Sequence, residues 1–600
     1  MTLNTALIMN SGIGKRLYPL TKTKPKALIQ LDNGETILGR QLRLLRENGF
    51  SKVIITTGPY PNQIEMVGKA FPDLSITYIY NEHYDSTNNI VSFEKTKEVV
   101  KGHLLIMHGD LVFSSNLISS IINGFGEPFA VVDRSSSGNE KDFKAKLNPR
   151  GQVVEITVEN KANQVEFQPI YALTFDLYEK WIEKCTELIK EGNVNDYMED
   201  ALNEIIHVKP LDSFNLVEHF VQEIDTFEDF AVVNRKLFAF EQEHQIITYS
   251  PYLSPLLNAV EKYKSNKPFI VHGKHILSNP DYKSFISKTK AISFMEFDPN
   301  PEMISVKKGF NIFVDEQCDL IVAVGGGSAI DVAKTIKYKL IEDDMEVSKY
   351  IPLIAIPTTG GTGSESTHFS VIYEKGVKTS IASAAIFPDL AILDAKLLET
   401  LPIYQRKSTL LDAFCQAVES HWSKNATLES LTYAKDSLEI IQLHGLDYIN
   451  GSNEELEKIF IASNLAGKAI NISKTTAPHA MSYMVSKFHN ISHGHAVSLF
   501  IVEIIYMISE HNEEINEFSQ RGLNQLFQIF NVKDILNLAK SVKTFIQNFD
   551  LLTPKNTHDE INLFTKNVNI ERLKNMPFLM TQQHVHRVYT QVLLEDNKAL

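Results

Sequence analysis

Twice in this chain an apolar strand ends in a glycine-rich turn: "TALIMN" runs into "SGIGKR" at residues 5–16, and "LIVAV" into "GGGSAIDVAK" at residues 320–334. A turn of that kind lets the backbone approach an anion and present its amides, and in an open parallel sheet ligands collect at the carboxyl ends of strands. Around the first turn, strands such as "KVIITTG" and "GHLLIMHGD" alternate with the helical "ETILGRQLRLLRENG" over residues 1 to about 235. That rhythm predicts a mostly parallel sheet with helices on both faces. Around the second turn, "KPFIVHGK", "AISFMEFDPNP" and "CDLIVAVGGGSAIDVAKTI" read as strand, strand and strand-loop-helix. At 600 residues the chain exceeds what one hydrophobic core organises, so two α/β nucleotide-binding units are expected. The Pro- and Tyr-containing stretch "TYSPYLSP" predicts a linker near residue 240.

Composition removes several function classes. A formal net charge of -14 argues against nucleic acid as a partner, since phosphate-backbone affinity comes from clustered Lys and Arg. Three scattered cysteines, Cys185, Cys318 and Cys415, form no CxxC pair and suit a reducing compartment, so a cytoplasmic enzyme of small molecules is expected. The N-terminal basic residues follow an apolar run, the reverse of a signal peptide, and "AVSLFIVEIIYMIS" is interrupted by Glu503 and too short to span a bilayer. No membrane partner is expected.

The first turn lies in "NSGIGKRLYPLTKTKPKAL", where Gly12 and Gly14 free the backbone and Lys15, Arg16 and Lys26 add positive charge. Alone, these residues also suit an ordinary glycine turn with solvated cations. Two strand-end acids, Asp110 in "HGD" and Asp225 in "VQEIDTFEDF", could hold Mg2+ between them, or each could cap a helix or turn. The extended pattern Gly-x-Gly-x-Arg-Leu, Pro-Leu-Thr, Pro-Lys resembles the signature of nucleotide-sugar-type nucleotidyltransferases. That resemblance implies a loop cradling a nucleoside triphosphate, Lys26 on its phosphates, and Asp110 and Asp225 on Mg2+. Within that superfamily "DSTNNIVSF" and "DFKAKL" resemble the phosphocholine and phosphonate cytidylyltransferases. The nucleotide implied is CTP, held by Gly12, Gly14, Arg16, Lys26 and Asn88. Asn88 and Asn89 would also flank the acceptor pocket, and Lys144 would stand near the phosphates as a catalytic residue with Lys26, Asp110 and Asp225.

In the second half, "VGGGSAIDVAK" and "PTTGGTGSE" resemble two motifs of the iron-containing alcohol dehydrogenases. By that resemblance Gly325, Gly326, Gly327, Ser328, Asp331, Thr358, Thr359, Thr362 and Lys378 bind NADH or NADPH. Members that exclude NADP often carry an Asp after the first strand of this part, where "FIVHGK" places Gly273, so NADPH is expected to be accepted. The family binds a divalent metal through an Asp, a His four residues later and two further histidines. In "LLDAFCQAVESHW" Asp412 and Gln416 share a face of an expected amphipathic helix, and His479 and His493 follow fourteen residues apart, so a Fe2+ or Zn2+ site at Asp412, Gln416, His479 and His493 is implied. Gln416 stands where a histidine is usual, and Tyr483 where many relatives carry another. His489 and His495 read as surface or supporting groups, and residues 510–600 as helices packed over the metal site.

The implied architecture is α/β: a Rossmann-like nucleotidyltransferase domain at residues 1–238, then a dehydroquinate-synthase-like dehydrogenase unit, dinucleotide-binding at 239–400 and helical at 401–600. "DAFCQAVESHW", "KTTAPHAMSY" and "HGHAV" resemble the branch that reduces phosphonoacetaldehyde. The two resemblances together imply a bifunctional enzyme. It reduces phosphonoacetaldehyde to 2-hydroxyethylphosphonate and joins that phosphonate to CMP, taking CTP, an aldehyde and a small phosphonate or phosphate as its small-molecule partners. Alternatives keep the folds: a phosphocholine or polyol-phosphate cytidylyltransferase with a different alcohol or aldehyde dehydrogenase, or a cytidylyltransferase with a non-catalytic dehydrogenase-like module. Self-association is expected from the dehydrogenase family.

Overall fold

The computed structural model describes residues 3–136, 142–161, 163–243, 245–342, 351–374 and 376–594. The chain forms two compact units, one built on residues 1–244 and the other on Gln245–Glu342 and Ile351–Leu600. Among the described residues no helix is long and apolar enough to cross a membrane.

The first unit contains β1 (Thr5–Met9), β2 (Lys52–Thr57), β3 (Ser75–Tyr80), β4 (Leu104–His108), β5 (Leu111–Phe113), β6 (Phe129–Asp133), β7 (Lys144–Leu147), β8 (Val153–Thr157), β9 (Gln164–Leu173), β10 (Asp212–Asn215) and β11 (Val221–Glu223). Its main sheet runs β10-β6-β9-β4-β1-β2-β3, with β7 paired to β9 and β8 beyond it. The pairs from β4 through β3 are parallel, and β9 enters antiparallel to both β4 and β6. Alternate side chains feed two cores, as the two-residue period of a strand requires. Ile8, Val53, Ile55 and Leu105 go to one face, and Leu7, Ile54 and Ile106 to the other.

The helix Ile37–Glu47 is capped by Thr36, whose side chain accepts from the Gly39 amide, and it packs Leu38, Leu42 and Leu45 on the first of those cores. Its buried Arg40 reaches the Glu35 carboxylate at 3.0 Å and donates to the Phe113 carbonyl, while Arg43 meets the other Glu35 oxygen at 2.6 Å. Burial opposes the Glu35 charge, but Arg43 and Arg40 overcome it and hold the carboxyl down at about 2. The ion network thereby fixes this helix against β5, beside the strand ends where the ligand site forms. The helix Phe227–Glu243 runs through residue 238, so the expected break at 238/239 falls inside a helix of the first unit.

The second unit opens with β12 (Ile246–Thr248), β13 (Pro268–His272), β14 (Ile292–Phe294), β15 (Leu320–Gly325) and β16 (Leu353–Pro357), followed by β17 (Phe369–Glu374), β18 (Val377–Ala382) and β19 (Leu390–Ile392). Six of these make a wholly parallel sheet in the order β12-β19-β16-β15-β13-β14, and β17 and β18 form a separate antiparallel ribbon. Among the described residues from 403 to 593 the regular elements are helices, beginning with Ile403–Trp422, Leu428–Ile449, Leu456–Ser473, Ala477–His489 and His493–Glu510. The Ile403–Trp422 helix departs from the amphipathic expectation. Every residue from Leu410 to Trp422 is buried, because the other helices surround it. Polar residues on such a helix have no solvent to turn to and must be satisfied by one another or by a ligand.

Candidate functional sites

In the first unit, the ribbon of β5 and β11 brings the acids together. Glu223 lies opposite Leu111 in the antiparallel register, and the Ile224 amide donates to the Asp110 carbonyl at 3.2 Å. Asp110, Glu223 and Asp225 consequently place carboxylate oxygens within 4.8 Å of one another. Lys26, at the start of a short 3-10 turn, inserts its ammonium among them, 2.7 Å from Asp110, 2.7 Å from Asp225 and 4.0 Å from Glu223. Arg16 reaches Asp225 at 2.6 Å. Gly14 makes this approach possible: it takes a left-handed conformation (φ 68°), and a Cβ there would lie 3.2 Å from the Lys26 Cβ.

The charges interlock. Burial opposes ionisation of Lys26, yet Asp110, Glu223 and Asp225 raise its affinity for the proton above the ordinary lysine value. Burial likewise opposes the Asp110 charge, and Lys26 overcomes it, so that carboxyl is held low. Glu223 goes the other way, since burial and then the neighbouring Asp110 push it well above the usual range. Three oxygens so close suit a hard divalent cation such as Mg2+, which would exchange with the ammonium and the Glu223 proton. Nearby, Asn10 Nδ2, Ser11 Oγ and Thr57 Oγ1, at the carboxyl ends of β1 and β2, are buried with no hydrogen-bond partner. Unsatisfied polar atoms in that position await a polar ligand.

Asn88 is placed as a helix cap: its carbonyl oxygen accepts from the Asn89 amide and its amide donates to the Asn195 carbonyl. Asn89 accepts from the Met198 amide at 2.8 Å and donates to Glu199 at 3.4 Å. Both asparagines therefore hold the segment running into the Met198–Ile206 helix. Lys144, buried on β7, donates to the Asp142 carbonyl at 2.9 Å.

In the second unit, Gly326, Gly327 and Ser328 sit half-exposed where β15 meets the Gly327–Glu342 helix. The Thr358 amide donates to the Gly325 carbonyl at 3.0 Å. A Cβ on Gly327 would press on Thr362 at 3.1 Å, so the two expected dinucleotide loops lie against each other. Thr359 Oγ1 is buried without a partner. Bare amides at a helix N-terminus beside such loops fit a pyrophosphate. Asp331 and Lys334 do other work. Asp331 accepts from Ser364 Oγ and the Val371 amide, and Lys334 donates to Thr367 Oγ1 and to the Ser364 and Phe369 carbonyls. They pin the loop after β16 to the helix.

Asp412, His479 and His493 offer ligand atoms within 4.8 Å of one another, from three helices. His479 Nε2 lies 3.3 Å from Asp412, and its Nδ1 lies 2.5 Å from Glu419. Glu419 also accepts from the amide and hydroxyl of Thr476, which fixes the carboxylate and through it the ring. Burial opposes protonation of His479, but Glu419 and Asp412 overcome it and lift the imidazole to about 9; a cation is stabilised at this spot. Burial instead drives His493 down to about 3, leaving a neutral ring with a free lone pair. Gln416 donates to the Thr362 carbonyl at 3.3 Å, and its Oε1 is buried with no hydrogen-bond partner. Two imidazoles, a carboxylate and an unsatisfied amide oxygen fit Fe2+ or Zn2+.

Tyr483 forms a wall of this pocket, its ring parallel to His493 with centroids 5.6 Å apart. Lys378 places its ammonium 2.9 Å from the Tyr483 ring centroid, and Arg572 donates to the Tyr483 hydroxyl. His495 and His489 are supporting groups: His495 bonds the Leu552 carbonyl, and His489 bonds Asn556.

Residues 245–395 match the sequence model of the iron-containing alcohol dehydrogenases, and residues 407–589 match that of the family's C-terminal part. A 4-hydroxybutyrate dehydrogenase from Clostridium kluyveri is 32% identical over 264 residues, which are 40% of this chain and 70% of that protein. The chain belongs to the iron-containing alcohol dehydrogenase family. Its dehydrogenase unit is also similar to an NADPH-dependent butanol dehydrogenase from Clostridium saccharobutylicum, 31% identical over 36% of this chain and 60% of that protein. The structure of a sulfoacetaldehyde reductase from Bifidobacterium kashiwanohense in complex with NAD+ superposes with a TM-score of 0.53 at 26% identity, covering 58% of this chain and 97% of that one. Residues 5–125 match the model of nucleotidyl transferases, so the dehydrogenase is fused to a nucleotidyltransferase unit.

Proposed function

We propose that the chain catalyses two consecutive steps: NAD(P)H-dependent reduction of phosphonoacetaldehyde to 2-hydroxyethylphosphonate, and transfer of CMP from CTP to that phosphonate with release of pyrophosphate. The observation that carries this reading is the presence in one chain of a carboxylate-lysine cradle and a histidine-aspartate metal pocket. The neighbouring sulfoacetaldehyde reductase supports the substrate class, because phosphonoacetaldehyde differs from sulfoacetaldehyde only in its tetrahedral anionic head. The steps are chemically compatible, because reduction leaves the phosphonate untouched and its oxygens free to attack phosphorus.

In the dehydrogenase unit Asp412, His479 and His493 would hold Fe2+ or Zn2+, with the Gln416 oxygen alongside. When bound there, such a metal would supply Lewis-acid polarisation of the aldehyde oxygen, and a reduced nicotinamide would supply the hydride for its carbon. Glu419 orients His479, and the amides of Gly326, Gly327 and Ser328 receive the dinucleotide pyrophosphate. In the nucleotidyltransferase unit Lys26 and Arg16 face the triphosphate, and Asp110, Glu223 and Asp225 would hold Mg2+. A phosphonate oxygen forms the new bond to the α-phosphorus of CTP, and the bond to pyrophosphate breaks as charge on the leaving group is neutralised by these cations.

Phosphorus-31 NMR of the full chain with phosphonoacetaldehyde, NADPH, CTP and Mg2+ tests the reading. A CMP-linked phosphonate is expected only when both CTP and the reduced nicotinamide are present. Unchanged phosphonoacetaldehyde, with phosphocholine converted to a CDP product in the same buffer, defeats it.

NADPH use follows from Gly273, which directly succeeds β13 and whose Cβ position faces open space. Substituting Gly273→Asp places a carboxylate where the 2'-phosphate is expected. Steady-state kcat/KM for NADPH relative to NADH should then fall about a hundredfold through like-charge repulsion.

A further inference from the structure

Lys378 and Arg572 converge on Tyr483 from distant parts of the sequence, one on β18 and the other on the short helix Ile570–Leu573. The Arg572 guanidinium carbon is 5.1 Å from the Tyr483 ring centroid, and the Lys378 ammonium is 2.9 Å from it. Burial and Arg572 hold the Lys378 amine well below the usual lysine range, with Asp331 and Asp412 acting against them. An anion placed between the Lys378 amine and the Arg572 guanidinium can accept hydrogen bonds from both. The frame itself borders the metal pocket, since Tyr483 stacks on the ligand His493.

We propose that Arg572 and Lys378, held by Tyr483, form the subsite that recognises the tetrahedral anionic head of the aldehyde substrate, an inference that rests on the reductase reading above. The dimensions agree. In a two-carbon aldehyde the head lies two bonds from the carbonyl carbon, roughly 3 Å. A substrate whose oxygen points at Asp412, His479 and His493 keeps its head within that reach of the pocket, and Tyr483, stacked on His493, is one of the walls available to it. Arg572 suits that head because a guanidinium presents parallel donors to two oxygens of a phosphonate, whereas the lysine adds a single donor nitrogen. The Tyr483 hydroxyl engages one Arg572 nitrogen and leaves the rest of the fork available. Arg572 is the specificity-determining residue in this assignment, and Lys378, which the family resemblance gives to the dinucleotide, borders the same subsite. A neutral aldehyde of the same length engages neither.

The test compares kcat/KM for phosphonoacetaldehyde with that for propanal, using the metal-loaded full chain. Wild-type protein should prefer phosphonoacetaldehyde. Arg572→Leu should lower the ratio of the two kcat/KM values by about a hundredfold, chiefly through KM for the anionic aldehyde, and Arg572→Lys should recover about tenfold of it. A wild-type preference that Arg572→Leu leaves within about threefold overturns the subsite but not the reductase reading. No wild-type preference for the anionic aldehyde overturns both. Should Arg572→Leu fail to fold, inhibition of wild-type aldehyde reduction by methylphosphonate decides. Competitive inhibition by methylphosphonate supports the subsite, and its absence at tens of millimolar methylphosphonate overturns it.

Discussion

His479→Ala will reduce aldehyde turnover by about a thousandfold or more and strip the bound metal, while nucleotidyl transfer by the same protein stays within about twofold of wild type. The size follows from what the side chain connects. His479 is buried, faces Asp412 with one ring nitrogen and is oriented through the other by Glu419. Alanine removes a ligand and leaves Glu419 as an uncompensated buried carboxylate, with only Thr476 still donating to it. Metal emission spectroscopy on the purified protein and aldehyde-dependent oxidation of NAD(P)H check both parts. Full reduction by the alanine variant would sink the metal assignment and favour a dehydrogenase unit retained for some other purpose.

Lys26→Met will abolish nucleotidyl transfer to a similar degree and leave aldehyde reduction in place. Lys26 is the one cation hydrogen-bonded to both Asp110 and Asp225 among the described residues, and it is only 7% exposed. Removing it exposes the acids to mutual repulsion, and a cation in solution can relieve that much. Excess Mg2+ cannot supply an ammonium to the triphosphate, so the loss of pyrophosphate release should persist when Mg2+ is raised about tenfold. Recovery at high Mg2+ would mean that the lysine is a counter-ion and nothing more.

Residues with a local pattern were the legible ones. Lys26, Asp110 and Asp225 stand at turns and strand ends, and Asp412 and Gln416 stand one helical turn apart. Glu223 carried a signal that is easy to pass over: it is two residues before Asp225 in an extended segment, which puts both on one face. Glu419 continues the Asp412 face by one further turn, but an acid on a helix reads as solvated until the helix is known to be buried all round. Arg572 had no local signal, since its partner Tyr483 lies 89 residues earlier and only the packing of the C-terminal helices joins them. Asn88 read as a ligand contact because an Asn-rich turn and a helix cap have the same composition. Asp331 and Lys334 belong to a motif, yet their polar atoms are consumed in anchoring a loop.

The nucleotide cradle has a further property, visible once its protons are counted. Burial and Asp110 push Glu223 towards its protonated form, and the carboxylates of Asp110 and Asp225 face the side chains of Lys26 and Arg16, one cation for each. A bare divalent ion entering such a balanced site must evict an ammonium already well bound, so little is gained on its own. Arriving with a triphosphate, a magnesium ion would bring negative charge for both displaced cations, Lys26 and Arg16, to neutralise. On the nucleotidyltransferase reading proposed above, such a cradle would discriminate against free metal and admit the metal-nucleotide complex as a unit.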